Sequence, residues 1–353
     1  MATTFQIGDE FLSEADSQLL EPNPSTSSAL CLGTGLKLRA AQWADVEPVA
    51  QLILDVCTND GDATIAVPPE ELRAEWETPG FNLETDAWVV TTADGRVVGY
   101  EEFVNRYAHA SLQGDGYVHP DFMGKGIGTA MLRALEERAR KEIELAEPEH
   151  RVFIRNGMSI GDAVSREMHE AKGYKPIRFF WRMEITLDAA MPAPTWPEGI
   201  ELRPFDVDAH TYLVYRAHEE AFYDHWGHTP RSFEEWKHRV IESDDFDPSL
   251  YFIAWDGDQI AGYALNRYRN DNGWVGSLGV RRPWRKCGLG LALLYHSFAE
   301  FYKRGTPVIS LGVDAANSTG ATRLYQKAGM HVAAEYVTYE KELRSGREPE
   351  VEN

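Results

Sequence analysis

Val280-Arg-Arg-Pro-Trp-Arg-Lys-Cys-Gly-Leu-Gly290 stands between an apolar run and an amphipathic segment, Leu291 to Lys303. Within it, Arg285-x-x-Gly288-x-Gly290 predicts a turn with two residues lacking a Cβ, so that backbone N–H groups can close on an anion. A helix over Leu291–Lys303 aims the positive end of its dipole at the same spot. Arg281, Arg282, Arg285 and Lys286 add four cationic side chains, in a chain whose formal charge is -21. The stretch therefore reads as a site for a phosphate-bearing ligand. Two nucleotide loops are excluded. No Gly-x4-Gly-Lys-Ser/Thr string occurs, and the second half of G-x-G-x-x-G with its downstream acid is missing.

Length and composition bound the remaining choices. A chain of 353 residues suits two domains of about 150 residues each. Hydrophobic content of 43%, with ten Trp, fifteen Tyr and fifteen Phe, is enough for two packed interiors. No run of about 18 apolar residues exists and residues 1–30 lack a signal pattern, so a cytoplasmic protein with no membrane contact is expected. Cys31, Cys57 and Cys287 form no CxxC or Cys/His pattern, so neither a disulfide frame nor a metal site is expected. An excess of 56 acidic over 35 basic residues argues against nucleic acid as a partner and tolerates a cationic amine. A monomer and a homodimer are both compatible with these numbers.

The sequence repeats itself at a spacing of about 160 residues. Leu38-Arg39 returns as Leu202-Arg203. The stretch from Asp86 through Asp94-Gly95 to Gly99-Tyr100 returns from Leu250 through Asp256-Gly257 to Gly262-Tyr263. In both, an Asp-Gly pair between apolar runs predicts a hairpin. Tyr117-Val-His-Pro-Asp-Phe-Met-Gly-Lys-Gly-Ile-Gly128 returns as the opening motif, and each copy ends in a strand, a helix stopped by Gly173 or Gly329, and alternating apolar residues.

R-x-x-G-x-G at a strand-to-helix turn, in this order of elements, resembles motif A of the GNAT superfamily of N-acetyltransferases, which holds the pyrophosphate of acetyl-CoA. The resemblance spans nearly the whole chain. It implies an α/β (α+β) fold of two tandem acyltransferase domains, each a mixed twisted sheet with flanking helices. The expected layout is a loose tail over 1–36, domains over 37–190 and 200–345, a Pro-rich connector over 191–199 and an acidic tail over 346–353.

The second copy carries the family pattern in full. The resemblance places acetyl-CoA against Leu278, Gly279 and Val280, against Arg285, Lys286, Cys287, Gly288, Leu289 and Gly290, and near Asn317 and Tyr325. Tyr325 matches the tyrosine that protonates the departing thiolate in many relatives; a phenol is neutral at pH 7 and donates. Without the motif it would read as an amphipathic core residue. Asn317 could equally serve only to start the following helix. Gly279 is compatible with a bulge that frees N–H groups for the thioester carbonyl. Relatives often carry a Glu on this strand, but Trp274-Val-Gly-Ser277 holds no carboxylate. His225 and Asp224, after the first helix of this domain, are the candidates for the base. Cys287 sits at a variable position of the motif and has no partnered His in sequence, so it reads as bland.

The first copy departs in three places: Met123 stands for Arg285, Gly161 for Asn317 and His169 for Tyr325. Val118, Gly124, Lys125, Gly126, Ile127 and Gly128 could still form a second coenzyme A site, with Lys125 as the one cation in the turn. A mainly structural first domain is expected. The function implied is acetyl transfer to a primary amine of a small molecule in the C-terminal domain. A non-catalytic acyl-CoA-binding sensor or regulatory protein is the alternative, against which Tyr325 and the unbroken motif weigh.

Overall fold

The computed structural model describes residues 30–31, 35–223, 225–226, 231–243, 245–317 and 319–349. The first half runs β1 (Leu30–Cys31), β2 (Lys37–Ala40), α1 (Val46–Asn59), α2 (Pro69–Trp76), α3 (Leu83–Asp86), β3 (Ala87–Thr91), β4 (Val97–Tyr107), β5 (Ser111–Val118), α4 (Ile127–Glu142), β6 (Val152–Ser159), α5 (Ala163–Ala171) and β7 (Lys175–Thr186). The second repeats it as β8 (Ile200–Arg203), α6 (Val207–Phe222), α7 (Phe233–Val240), β9 (Tyr251–Asp256), β10 (Gln259–Arg269), β11 (Asn272–Val280), α8 (Leu289–Lys303), β12 (Val308–Asp314), α9 (Ala321–Lys327) and β13 (His331–Arg344).

Local chemistry explains the helix that matters most. Gly288, at φ 92°, caps α8 in the left-handed region, which a residue without Cβ reaches freely. Leu293, Leu294, Phe298 and Phe301 recur at helical spacing and are buried, and Gly305, at φ 84°, ends the run. Buried Ser297 donates to the Leu293 carbonyl at 3.0 Å, so no polar group is stranded in that face.

All described strands join one 13-stranded sheet in the order β1-β2-β3-β4-β5-β6-β13-β7-β12-β11-β10-β9-β8. The final strands are exchanged. β13 lies antiparallel to β6 of the first half, and β7 lies antiparallel to β12 of the second. The two pair with each other at the centre, from His331↔Glu184 to Glu340↔Lys175. Side chains follow the backbone: Val337 and Tyr339 complete the core around Leu112 and Leu135, while Met183 and Leu187 enter the core around Leu294 and Phe298. Burying each such side chain contributes about 1.5–3 kcal/mol. Bidentate Arg178–Asp314 (2.9 and 2.5 Å) and Arg155–Glu340 (2.9 Å) tie the exchanged strands in place.

Most of residues 1–36 lies outside the described residues; within that stretch, β1 pairs with β2. Arg347, in the C-terminal stretch, pairs with residues 149–151 through Arg151 N–H to its carbonyl at 2.7 Å and its own N–H to Glu149 at 2.9 Å.

Candidate active site

β11 and β12 run parallel but share only Gly273↔Ile309 and Trp274↔Ser310 before they separate. From Val275 onward, the edge of β11 that faces β12 has no strand partner. A cavity of about 880 Å³ fills the gap. The other edge of β11 pairs with β10, where the register slips between Leu265↔Ser277 and Asn266↔Val275. Gly276 is therefore the bulged residue, and not Gly279, which the sequence left compatible with a bulge. Gly279 serves packing instead. A Cβ there would lie 2.4 Å from the Tyr263 ring, so its absence lets a buried tyrosine pack under the strand.

The loop between β11 and α8 closes one end. Its backbone is shaped by Lys286 at φ 66° and Gly288 at φ 92°, and Lys286, Gly288, Leu289 and Gly290 all line the cavity. Leu291 and Ala292 N–H both donate to the Gly288 carbonyl at 3.1 Å, whereas Leu289 and Gly290, ahead of them, line the cavity at the start of the helix, the place where helix termini can receive phosphate. Arg285 lines the cavity too, but its guanidinium donates to the carbonyls of Val280 at 3.0 Å and Ala221 at 3.2 Å. It braces the loop against β11 and the end of α6. Arg281 pairs with Glu220 at 2.7 Å and does not line the cavity. Cys287 is exposed, with its thiol 2.9 Å from the Trp284 carbonyl, and does not line the cavity either.

The far end holds the candidate chemistry. Tyr325, 8% exposed, reaches the cavity from α9, and burial pushes its phenol up to about 12. Asn317 also lines it, with its side-chain oxygen accepting from Thr319 N–H at 2.7 Å, so it stiffens the turn ahead of α9, whose cap is Gly320. Leu278 and Val280 line the β11 wall. His225 lines the opposite side, its ring 4.4 Å from that of Phe222; Asp224 lies outside the described residues. The exchanged β7 supplies Phe180, Trp181 and Arg182 as a further wall. Trp226 lies against Phe180, with ring centroids 6.1 Å apart and planes tilted by 53°, and under the guanidinium of Arg155 at 4.6 Å, a contact from the second half into the first.

One residue of this neighbourhood escaped the sequence reading. His218 on α6 places Nδ1 3.1 Å from the Tyr263 hydroxyl and 3.4 Å from Ser277 Oγ, beside the bulge, with its ring stacked on Phe222 at 4.7 Å. The signal was a histidine on the same helical face as Val214, Ala217 and Ala221, which are buried.

The equivalent place in the first half is a cavity of about 620 Å³ between β5 and β6. Val118, Gly124, Gly126, Ile127 and Gly128 line it, and Gly124 (φ 75°) and Gly126 (φ 80°) hold the same backbone shape as Lys286 and Gly288. Lys125 does not line it; its ammonium sits on the Asp121 carbonyl at 3.1 Å and over the Phe122 ring at 4.1 Å. β5 stays in regular register with β4 from Gly114 to Val118, so no bulge occurs at the equivalent of Gly276.

A divided sheet with a glycine-shaped anion turn at the split defines an acyl-CoA-dependent transferase, and similarity to known proteins agrees. The acetyltransferase (GNAT) family matches over residues 55–158 and again over 211–330, and the chain belongs to that family. It is an acyltransferase whose acyl donor is acetyl-CoA. Mycothiol acetyltransferase of Thermobispora bispora is 31% identical over 226 residues, covering 61% of this chain and 71% of its own. That of Catenulispora acidiphila is 26% identical over 327 residues, covering 87% and 99%. A GCN5-related N-acetyltransferase from Sphaerobacter thermophilus is 38% identical, with a TM-score of 0.76 over 90% of this chain and 99% of that one. A tandem GNAT protein from the clavulanic acid biosynthesis pathway, at 17% identity and a TM-score of 0.67 over 88% and 99%, shares the fold. No described helix is long and apolar enough to cross a membrane.

Proposed function

We propose that the second half transfers the acetyl group of acetyl-CoA to a primary amine of a small molecule, in the layout of mycothiol synthase, and that the first half contributes walls. The observation that carries this is the coincidence, in one cavity, of the Gly276 bulge, the Lys286–Gly290 turn and Tyr325. When bound, acetyl-CoA supplies an activated thioester. The start of α8 and Lys286 hold its phosphates, and the open edge of β11 beyond Val275 receives its amide arm. N–H groups freed at the bulge donate to the carbonyl oxygen as negative charge gathers there. Tyr325 donates to the departing sulfur; at about 12, it stays protonated at any working pH.

His225 and the His218–Ser277 pair are two routes by which the acceptor amine can lose its proton. The relatives named mycothiol acetyltransferase favour the cysteinyl amine of a pseudodisaccharide thiol precursor as acceptor. A sensor that only binds acyl-CoA has no use for a phenol aimed into the cavity.

Acetyl-CoA incubated with that precursor and with a panel of other primary amines tests the reading, with free thiol as the readout. Release of coenzyme A with at least one amine is expected, reduced about 10²-fold or more in either His225→Asn or His218→Asn. No release with any amine, despite acetyl-CoA binding, would leave the sensor standing.

A further inference from the structure

The first-half cavity keeps the shape of a coenzyme A groove and inverts its charge. Asp60, Asp62, Glu101, Asp115 and Asp162 line it, and no described Lys or Arg does. The second-half cavity has Arg182, Arg285 and Lys286 against one carboxylate, Asp314. Arg182 and Asp62 pair with each other across the two walls at 2.7 Å, which leaves four acids in the first cavity without a guanidinium partner among the described residues, so a polyanion suits the second cavity better than the first.

Four buried side chains of this groove also have an acceptor atom without a partner: Asp62 Oδ1, Glu101 Oε1, Asn156 Oδ1 and His169 Nε2, on residues 6%, 4%, 4% and 6% exposed. None of the unpartnered buried atoms among the described residues belongs to a residue lining the second cavity. His169 donates from Nδ1 to the Ser165 carbonyl at 2.8 Å, which leaves Nε2 as a bare lone pair. Burial keeps the ring neutral by lowering its pKa. Room for the Glu101 carboxylate is made by Gly116, where a Cβ would lie 2.4 Å from Oε2. Buried acceptors left open are costly unless something donates to them.

We infer that this groove binds an aliphatic di- or polyamine, whose ammonium N–H groups donate to Glu101, Asp62 and His169. The acids act on one another as a connected set. Burial and then Asp115 raise Glu101, while Asp115, Asp60 and Asp62 all add to the burial that raises the Cys57 thiol. A ligand with charges at intervals answers such a row, and the methylenes between them meet Ile65, Met131, Met168 and Phe180 on the walls. No three described His, Cys, Asp or Glu side chains converge closely enough to hold a metal ion, which favours an organic cation. This site lies apart from the acetyl transfer proposed for the second half and stands without it.

Isothermal titration of the full chain with spermidine, at pH 8 and without acetyl-CoA, tests the site. One spermidine per chain is expected, bound at least about tenfold more weakly by Glu101→Gln and by Asp115→Asn. Uncharged 1,8-octanediol should give no heat, and saturating coenzyme A should leave spermidine bound. Thermal melts show whether each variant folds, and Asp115→Asn carries the test if Glu101→Gln does not. No heat with spermidine, many weak sites indifferent to both substitutions, or displacement of spermidine by coenzyme A overturns the proposal.

Discussion

Lys286 sits at φ 66°, a conformation that costs a residue with a Cβ about 1–2 kcal/mol, while its first-half counterpart at φ 75° is Gly124. Glycine would relax this conformation but would remove the charge that Lys286 brings to the cavity. Lys286→Gly should therefore hold or slightly raise the melting temperature while weakening acetyl-CoA about tenfold, read by titration and thermal melts on one preparation. An affinity unchanged by the substitution would mean that backbone N–H groups alone hold the phosphates. At the other end of the cavity, burial raises Tyr325 to about 12, so its proton loss lies beyond the range in which the enzyme is assayed. Tyr325→Phe should lower kcat by about 10²–10⁴ with little change in acetyl-CoA affinity. Between pH 7 and 10 the rate profile should keep its shape and lose only height. A basic limb present in the parent and absent from the variant would place the tyrosine's titration inside that range, against its burial.

At the scale of the element, β11 does two jobs with small residues. Gly279 yields space to Tyr263, and Gly276 breaks the ladder with β10. Removing Gly276 would join Val275 directly to Ser277, which are already opposite the adjacent residues Asn266 and Leu265. The strand should then run in regular register with its later side chains on their original faces. The fold should survive, with kcat down by about 10²–10³, the loss typical of one oxyanion donor, and coenzyme A affinity nearly unchanged. A deletion that left kcat intact would remove the bulge from the chemistry. The turn ahead of α8, α8 itself and the two hairpins were legible because each rests on local chemistry: glycine at positive φ, apolar residues at helical spacing, Asp-Gly between strands. The bulge position was not, because Gly276 and Gly279 look alike in sequence and only pairing with β10 distinguishes them. His218 was missed for a related reason: a lone histidine on a buried helical face gives no hint that Ser277 waits on a neighbouring strand.

At the scale of the whole molecule, the exchange of β7 and β13 was not legible in the sequence, since the pairs that fix it, Arg178–Asp314 and Arg155–Glu340, join residues 136 and 185 positions apart. Its consequence is shared stability: Tyr339 belongs to the first core and Met183 to the second, although each is contributed by the other half's chain. Charge loads this assembly unevenly. In the first half, burial and then repulsion from Glu102 raise Glu75 to about 7, burial and then repulsion from Asp115 raise Glu102 to about 7, and burial raises Asp115 to about 6. A carboxyl whose pKa is higher folded than unfolded gives stability that is complete below the unfolded value and lost as pH rises through the folded one. With ordinary values of 4.5 and 3.8, that window runs from about pH 4 to 7 for this set. The melting temperature should fall across it, and Glu102→Gln should flatten the fall; a curve that rises through this window would contradict the burial of these acids. Because strands are shared, the weakening should not stay in the first half. Two autonomous domains would unfold in two steps as pH rises, the first half leading. Strands β6, β13, β7 and β12 form one unbroken run of pairing, so opening either half strips a partner from the other. A single calorimetric transition, with matching calorimetric and van't Hoff enthalpies, is expected at every pH in the window. Hydrogen exchange should show the amides of β5 and β11 losing protection together, and protection retained in β11 after β5 has opened would show that the exchanged strands do not couple the halves.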